Sequence, residues 1–155
     1  MDRDPFNDAH WPLLTERKRD ADKRRCYKAE HAVLHCASNP RFRSLDEARL
    51  YLCSMFRSPT WDALGLPLAV PNLLRSSTRN SFAYGRSAGI PGDVHLARGQ
   101  ENLMILLHEL AHSVVPVFHG HDARWRSAYV TLVAAFAPAA LCAQLVRGFA
   151  VFDDC

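Results

Sequence analysis

The chain has 155 residues, 48% hydrophobic and 23% charged, which suits one globular domain and excludes a fibre or a disordered segment. Its formal charge of +3 does not demand a nucleic-acid partner. The basic residues are mostly arginine, 16 against 3 lysines; with the abundant alanine this reads first as genomic GC bias and only second as phosphate-binding chemistry. Cys26, Cys36, Cys53, Cys142 and Cys155 are scattered, odd in number and form no CxxC pair, which argues against a disulfide framework or a zinc ribbon and suits a reducing, cytoplasmic setting.

The opening MDRDPFNDAHW carries acidic residues and no apolar stretch, so it does not read as a secretory signal, and residues 1–14 are expected to be an irregular tail on a single domain covering 1–155. Thr15 to Ala37 reads as a helix, ended by Asn39-Pro40. Within it, Glu16–Glu30 holds seven Lys/Arg and four Asp/Glu and reads as a solvated face. Ser44-Leu45-Asp46-Glu47 is a capping box that opens a second helix, with Leu45, Ala48, Leu52 and Met55 on its apolar face and a stop before Pro59. Five of the seven glycines and three prolines lie between Trp61 and Gly99, where short apolar runs predict strands at Leu68–Val70 or Leu73–Arg75, at Ser81–Tyr84 and at Asp93–Arg98.

Gln100 to Val115 reads as a helix apolar almost all round, hence central and buried, closed by Pro116. Asp122 to Phe136 returns to helix with Trp125, Tyr129, Leu132 and Phe136 on one face, and a last helix is expected to start at Pro138 and end at Gly148. Ser127–Val146 is 20 residues without a charge, long enough to span a membrane. Seven of those residues are Ala and Pro138 falls near the middle, so two buried helices meeting at Ala137-Pro138 are expected and no membrane partner. The order of helices, strands and helices predicts an α+β fold, a small antiparallel or mixed sheet packed on a central helix with flanking helices.

That central helix contains His108-Glu109-Leu110-Ala111-His112, an HExxH motif. Residues four apart share a helix face, so both imidazoles can reach one ion, while Glu109 is rotated away from the metal and toward the water it activates. With 8 His in the chain, the expected number of accidental matches is on the order of 0.01. Two imidazoles and a carboxylate in an apolar helix would also be costly to bury without an ion to partner them. The motif thus predicts one zinc per chain, held by His108 and His112, with Glu109 as catalytic base.

No Glu follows Glu109, and Val115 and Phe118 stand where a metzincin would have its Gly and third His. His119, His121, Asp122, Asp153 and Asp154 remain as third-ligand candidates. His121 is preferred, because the Trp125 helix beginning beside it would anchor it, and His119 is the alternative. Tyr84, Arg86 and His95 are candidates to stabilise a developing oxyanion, and Ala88–Arg98 is placed to be an edge strand that pairs with an extended substrate.

HELAH followed by GHDARW resembles the SprT-like and Spartan-like zincins, in which a His opening a helix follows HExxH, with an aromatic three or four residues on. Over roughly Arg24 to Phe149 the chain also resembles a metallohydrolase family of actinobacteria and their phages. There, an early VYAAE-like stretch is matched by Cys26-Tyr27-Lys28-Ala29-Glu30, and a late HGxxF-like element by His121-Asp122-Ala123-Arg124-Trp125. The resemblance implies a zincin-like metallopeptidase with His108, His112 and His121 as ligands, Glu109 as base, and a peptide or protein substrate. DNA is an open partner that the charge does not support, and the oligomeric state is not indicated.

Overall fold

Local signals start most of the helices. In the computed structural model, which describes residues 13–83, 91–115 and 120–150 with side chains from residue 22 onward, α1 spans Leu13–Leu34. The expected tail lies outside the described residues up to residue 12, and Leu13 and Leu14 already belong to the helix. Helix α2 (Leu45–Phe56) is capped by Ser44, whose side chain accepts from Glu47 N, and the Glu47 carboxylate accepts from Arg43 N rather than from the cap residue itself. A short helix not anticipated from the sequence, α3 (Pro59–Ala63), follows from Ser58 as N-cap with Pro59 at its first position. Its Trp61 is fully buried and stacks on Phe56, ring centroids 3.9 Å apart.

Three short strands follow, β1 (Leu73–Arg75), β2 (Phe82–Ala83) and β3 (Val94–Leu96), each inside an expected span. Their order is β1-β3-β2, with β1 parallel and β2 antiparallel to β3. The sheet is therefore mixed, and β3 is its central strand. That corrects the expectation of an edge strand in Ala88–Arg98: both sides of β3 are occupied, and the edges belong to β1 and β2. Val94 and Leu96 point into the core, while His95 lies on the opposite face, stacked on Phe82, its cross-strand partner, at 4.2 Å.

Gly99, at φ +81, turns the chain from β3 toward α4 (Leu103–Val114). Asn102 caps α4 by accepting from Ile105 N, and buried Asn39 donates to Asn102 Oδ1 and accepts from Met104 N. This pair of amides fastens the end of α1 to the start of α4. Helix α4 is the central element: β2 and β3 pack on it from one side and α5 (Ala123–Phe136) from another. Leu103, Met104, Leu106, Leu107, Leu110 and Ala111 are all buried. Helix α5 buries Trp125, Tyr129 and Leu132 as expected, with Val133 beside them.

The uncharged stretch divides at Ala137-Pro138 into α5 and α6 (Ala139–Ala150), and no helix among the described residues is long and apolar enough to cross a membrane. Pro138 precedes the first helical residue of α6, and its carbonyl accepts from Leu141 N and Cys142 N. Gly148 does not end the helix as expected. It sits inside α6, where α1 crosses, and a Cβ there would lie 2.8 Å from Ala29 Cβ and 3.1 Å from Ala29 Cα. The missing side chain is what lets the two helices approach. Gly148→Ala is expected to wedge α1 off α6 and to lower stability by about 1–3 kcal/mol, seen as a lower urea midpoint at unchanged slope.

Candidate metal centre

The site is assembled from α4, the turn before α5, and α1. One helical turn separates His108 from His112 on α4, and their rings lie 5.0 Å apart. His121 arrives from the turn at residues 120–122 and places its Nε2 atom 3.2 Å from His108 Nε2 and 3.3 Å from His112 Nε2. Among the described residues these three histidines form a group whose ligand atoms all lie within 4.8 Å of one another, and they could hold a metal ion. His108 and His121 are buried and His112 is half-buried.

Each ring is held from behind. His108 Nδ1 lies 2.7 Å from Glu30 Oε1, and this carboxylate on α1 is only 1% exposed. An ionised Glu30 requires the proton on Nδ1 and leaves the Nε2 lone pair facing the other two histidines, the arrangement that orients metal-bound imidazoles. The His121 carbonyl accepts from Arg126 Nη1 at 2.7 Å and from Cys26 Sγ at 3.7 Å. Asp122 caps α5 by accepting from Trp125 N, which gives this candidate ligand a structural use instead. Trp125 then packs against all three imidazoles, stacked on His112 at 4.9 Å and edge-on to His108 and His121 at 4.6 and 4.5 Å.

The donor set fits a tetrahedral transition metal. Zinc–nitrogen bonds of about 2.0–2.1 Å give ligand-to-ligand edges of about 3.3–3.4 Å, close to the two shortest separations here. Without a cation the geometry is unfavourable. A single N–H on His121 cannot serve two neighbouring Nε2 atoms, and the remaining lone pairs would face each other inside the protein.

The electrostatics set His108 apart from the other two rings. Burial pulls the His108 imidazole toward neutrality, yet the charge and hydrogen bond of Glu30, with the charge of Glu109, outweigh it and raise its pKa. Burial, followed by the influence of His108, drives His112 well below the ordinary histidine value and His121 to about 3, so both offer free lone pairs at neutral pH. Glu109, 7% exposed, is pushed up to about 7, first by burial and then, against the pull of His108, by the charge of Glu30.

Glu109 opens onto a cleft of about 200 Å³ that Tyr27, Leu34, Asn80, Ser81 and Ile105 also line. A larger hollow of about 430 Å³ between α2 and β1, lined by Arg49, Cys53 and Asn72 among others, brings together no group of three ligating side chains among the described residues.

Of the other expected site residues, His95 does not line the cleft. Tyr84, Arg86, His119, Asp153 and Asp154 lie outside the described residues. Glu30, which backs His108, is the residue of the site that reading the sequence did not single out. Cys26, Glu30 and Val33 are buried at helical spacing, so one stripe of the expected solvated face is internal. That stripe was detectable, because the three residues recur at i, i+4 and i+7, but the surrounding charges obscured it. Removing the carboxylate with Glu30→Gln is expected to weaken metal binding about 10–100-fold in a chelator competition assay, with His108 still present. No family model, no curated protein and no solved structure matches the chain.

Proposed function

We propose that this protein is a zinc-dependent hydrolase, with one zinc held by His108, His112 and His121 and an amide, most plainly a peptide bond, as the bond cleaved. The observation that carries the reading is the convergence of three Nε2 atoms beside a buried carboxylate that opens onto a cleft. Among the described residues the ligand set is three nitrogens, and a tetrahedral ion so held keeps a fourth position for water, as hydrolytic zinc sites do and structural sites closed by four side chains do not. Zinc in such a site lowers the pKa of water toward neutrality and polarises a carbonyl.

Glu109 takes the proton of the attacking water and delivers it to the leaving nitrogen. Its place next to His108 in sequence, rotated off the ligand face, suits it to that water and not to the ion. Glu30 keeps His108 in the tautomer that offers Nε2. An extended substrate has the edge of β2 available, since β2 pairs only with β3 among the described residues and Asn80 and Ser81, which lead into it, border the cleft. The resemblance to SprT-like zincins supports the same chemistry, and the helix carrying HExxH against a small mixed sheet supports a zincin-like arrangement.

Elemental analysis of the purified protein is expected to give about one zinc per chain, lost in His108→Ala, His112→Ala and His121→Ala and retained in His119→Ala. Glu109→Gln is expected to keep the zinc and to lose about 10²–10⁴-fold in hydrolysis of an unstructured protein substrate. A wild type that stays empty after incubation with zinc would sink the assignment. A Glu109→Gln variant as active as the wild type would leave the ion structural and the hydrolase reading wrong.

A further inference from the structure

We propose that Tyr27 is a catalytic residue of this site, its phenol donating a hydrogen bond to the substrate oxygen that gains negative charge as the amide is attacked. The inference rests on the hydrolase reading, which requires such a donor: the developing oxyanion needs a preorganised group besides the metal ligands. It does not follow from that reading which residue supplies it, and the sequence offered Tyr84, Arg86 and His95.

Geometry selects Tyr27. On α1 it stands three residues before Glu30, so one helix face presents both side chains to α4. Glu30 lies behind His108, whereas Tyr27 stands at the open rim of the same cleft as Glu109. Its ring is edge-on to His121 at 5.5 Å and tilted against His108 at 6.1 Å, and it is 47% exposed. A tyrosine half-open to solvent between two candidate ligands and the candidate base can touch whatever occupies the fourth position.

Among the described residues, donors other than Tyr27 and Asn80 are committed or displaced. Ser81 Oγ donates to Gln100 Oε1 and accepts from Ala97 N, and Tyr129 Oη donates to the Met104 carbonyl. His95 is on the far face of the sheet, against Phe82. Among the described residues the Tyr27 hydroxyl has no hydrogen-bond partner. Asn80 is the rival, an exposed carboxamide leading into β2 on the same cleft. Lys23, one turn before Tyr27, lies 5.6 Å from the centre of its ring and has no acidic partner among the described residues, so it adds positive charge beside the phenol.

The test uses binding, independent of turnover. Cobalt takes the same nitrogen donors and gives a visible spectrum by which ligands at the open position can be titrated. Inorganic phosphate presents a tetrahedral set of acceptor oxygens, while neutral imidazole occupies the same position without an oxyanion. Tyr27→Phe is expected to load one cobalt per chain, to bind imidazole as the wild type does, and to bind phosphate about tenfold more weakly. Asn80→Ala is expected to bind both as the wild type.

Equal phosphate affinity in Tyr27→Phe and wild type overturns the inference. So does a parallel loss for phosphate and imidazole, which would make Tyr27 a packing residue, or a phosphate defect in Asn80→Ala alone. Cobalt-loaded wild type that binds imidazole but no phosphate overturns it while leaving the metal site standing. Wild type that takes up no cobalt removes the hydrolase reading, and this inference with it.

Discussion

The hydrogen bond between His108 and Glu30 joins residues 78 positions apart, and much of the site's geometry is referred to it. Glu30 is a carboxylate almost wholly removed from water, a placement that is unfavourable unless the group is paired. His108 is that partner, and a cation beyond the ring would complete the compensation. The pairing works only while α1 stays docked. Two further contacts keep it there: the close passage of Ala29 over Gly148, and the amide pair Asn39–Asn102 just past the C-terminal end of the helix. Stability of the helical packing and orientation of a ligand are thus one problem in this fold.

Trp125 does for the remaining rings what Glu30 does for His108. It is fully buried, it touches all three imidazoles, and it sits in the first turn of α5 directly after the Asp122 cap. The cap determines where α5 begins, and therefore where the His121 backbone lies; Arg126 and Cys26 then hold the His121 carbonyl. Since Cys26 belongs to α1, that helix supports two of the three histidines. Three histidines held by buried aromatic packing and by hydrogen bonds from separate helices are oriented by the fold itself, which is what a tight and selective metal site requires.

The sheet contributes a boundary. It is only three strands wide, and its inner face covers α4 with Val94 and Leu96. Its order leaves β2, the strand reached through Asn80 and Ser81, as the edge bordering the cleft. Tyr27 on α1 and Ser81 beside β2 therefore line one hollow from two elements, and His108 and Glu109 of α4 line it from a third.

Much of this could be read from the residues alone where the governing physics is local. Two histidines four apart on a helix share a face whatever the rest of the chain does, so His108 and His112 were legible, and the aromatic anchor after His121 pointed to the third nitrogen. Ser44 and Asp122 announce helix starts because a cap bonds within three residues of itself. The mixed α+β order and the break at Ala137-Pro138 followed from periodicity and proline in the same way. Tertiary structure decided the rest. Whether Glu30 faces water or His108, whether Gly148 ends a helix or admits one, and which strand takes the edge all depend on contacts between segments distant along the chain. No local pattern encodes those distances, because they come from how the apolar faces of α1, α4 and α6 are buried together.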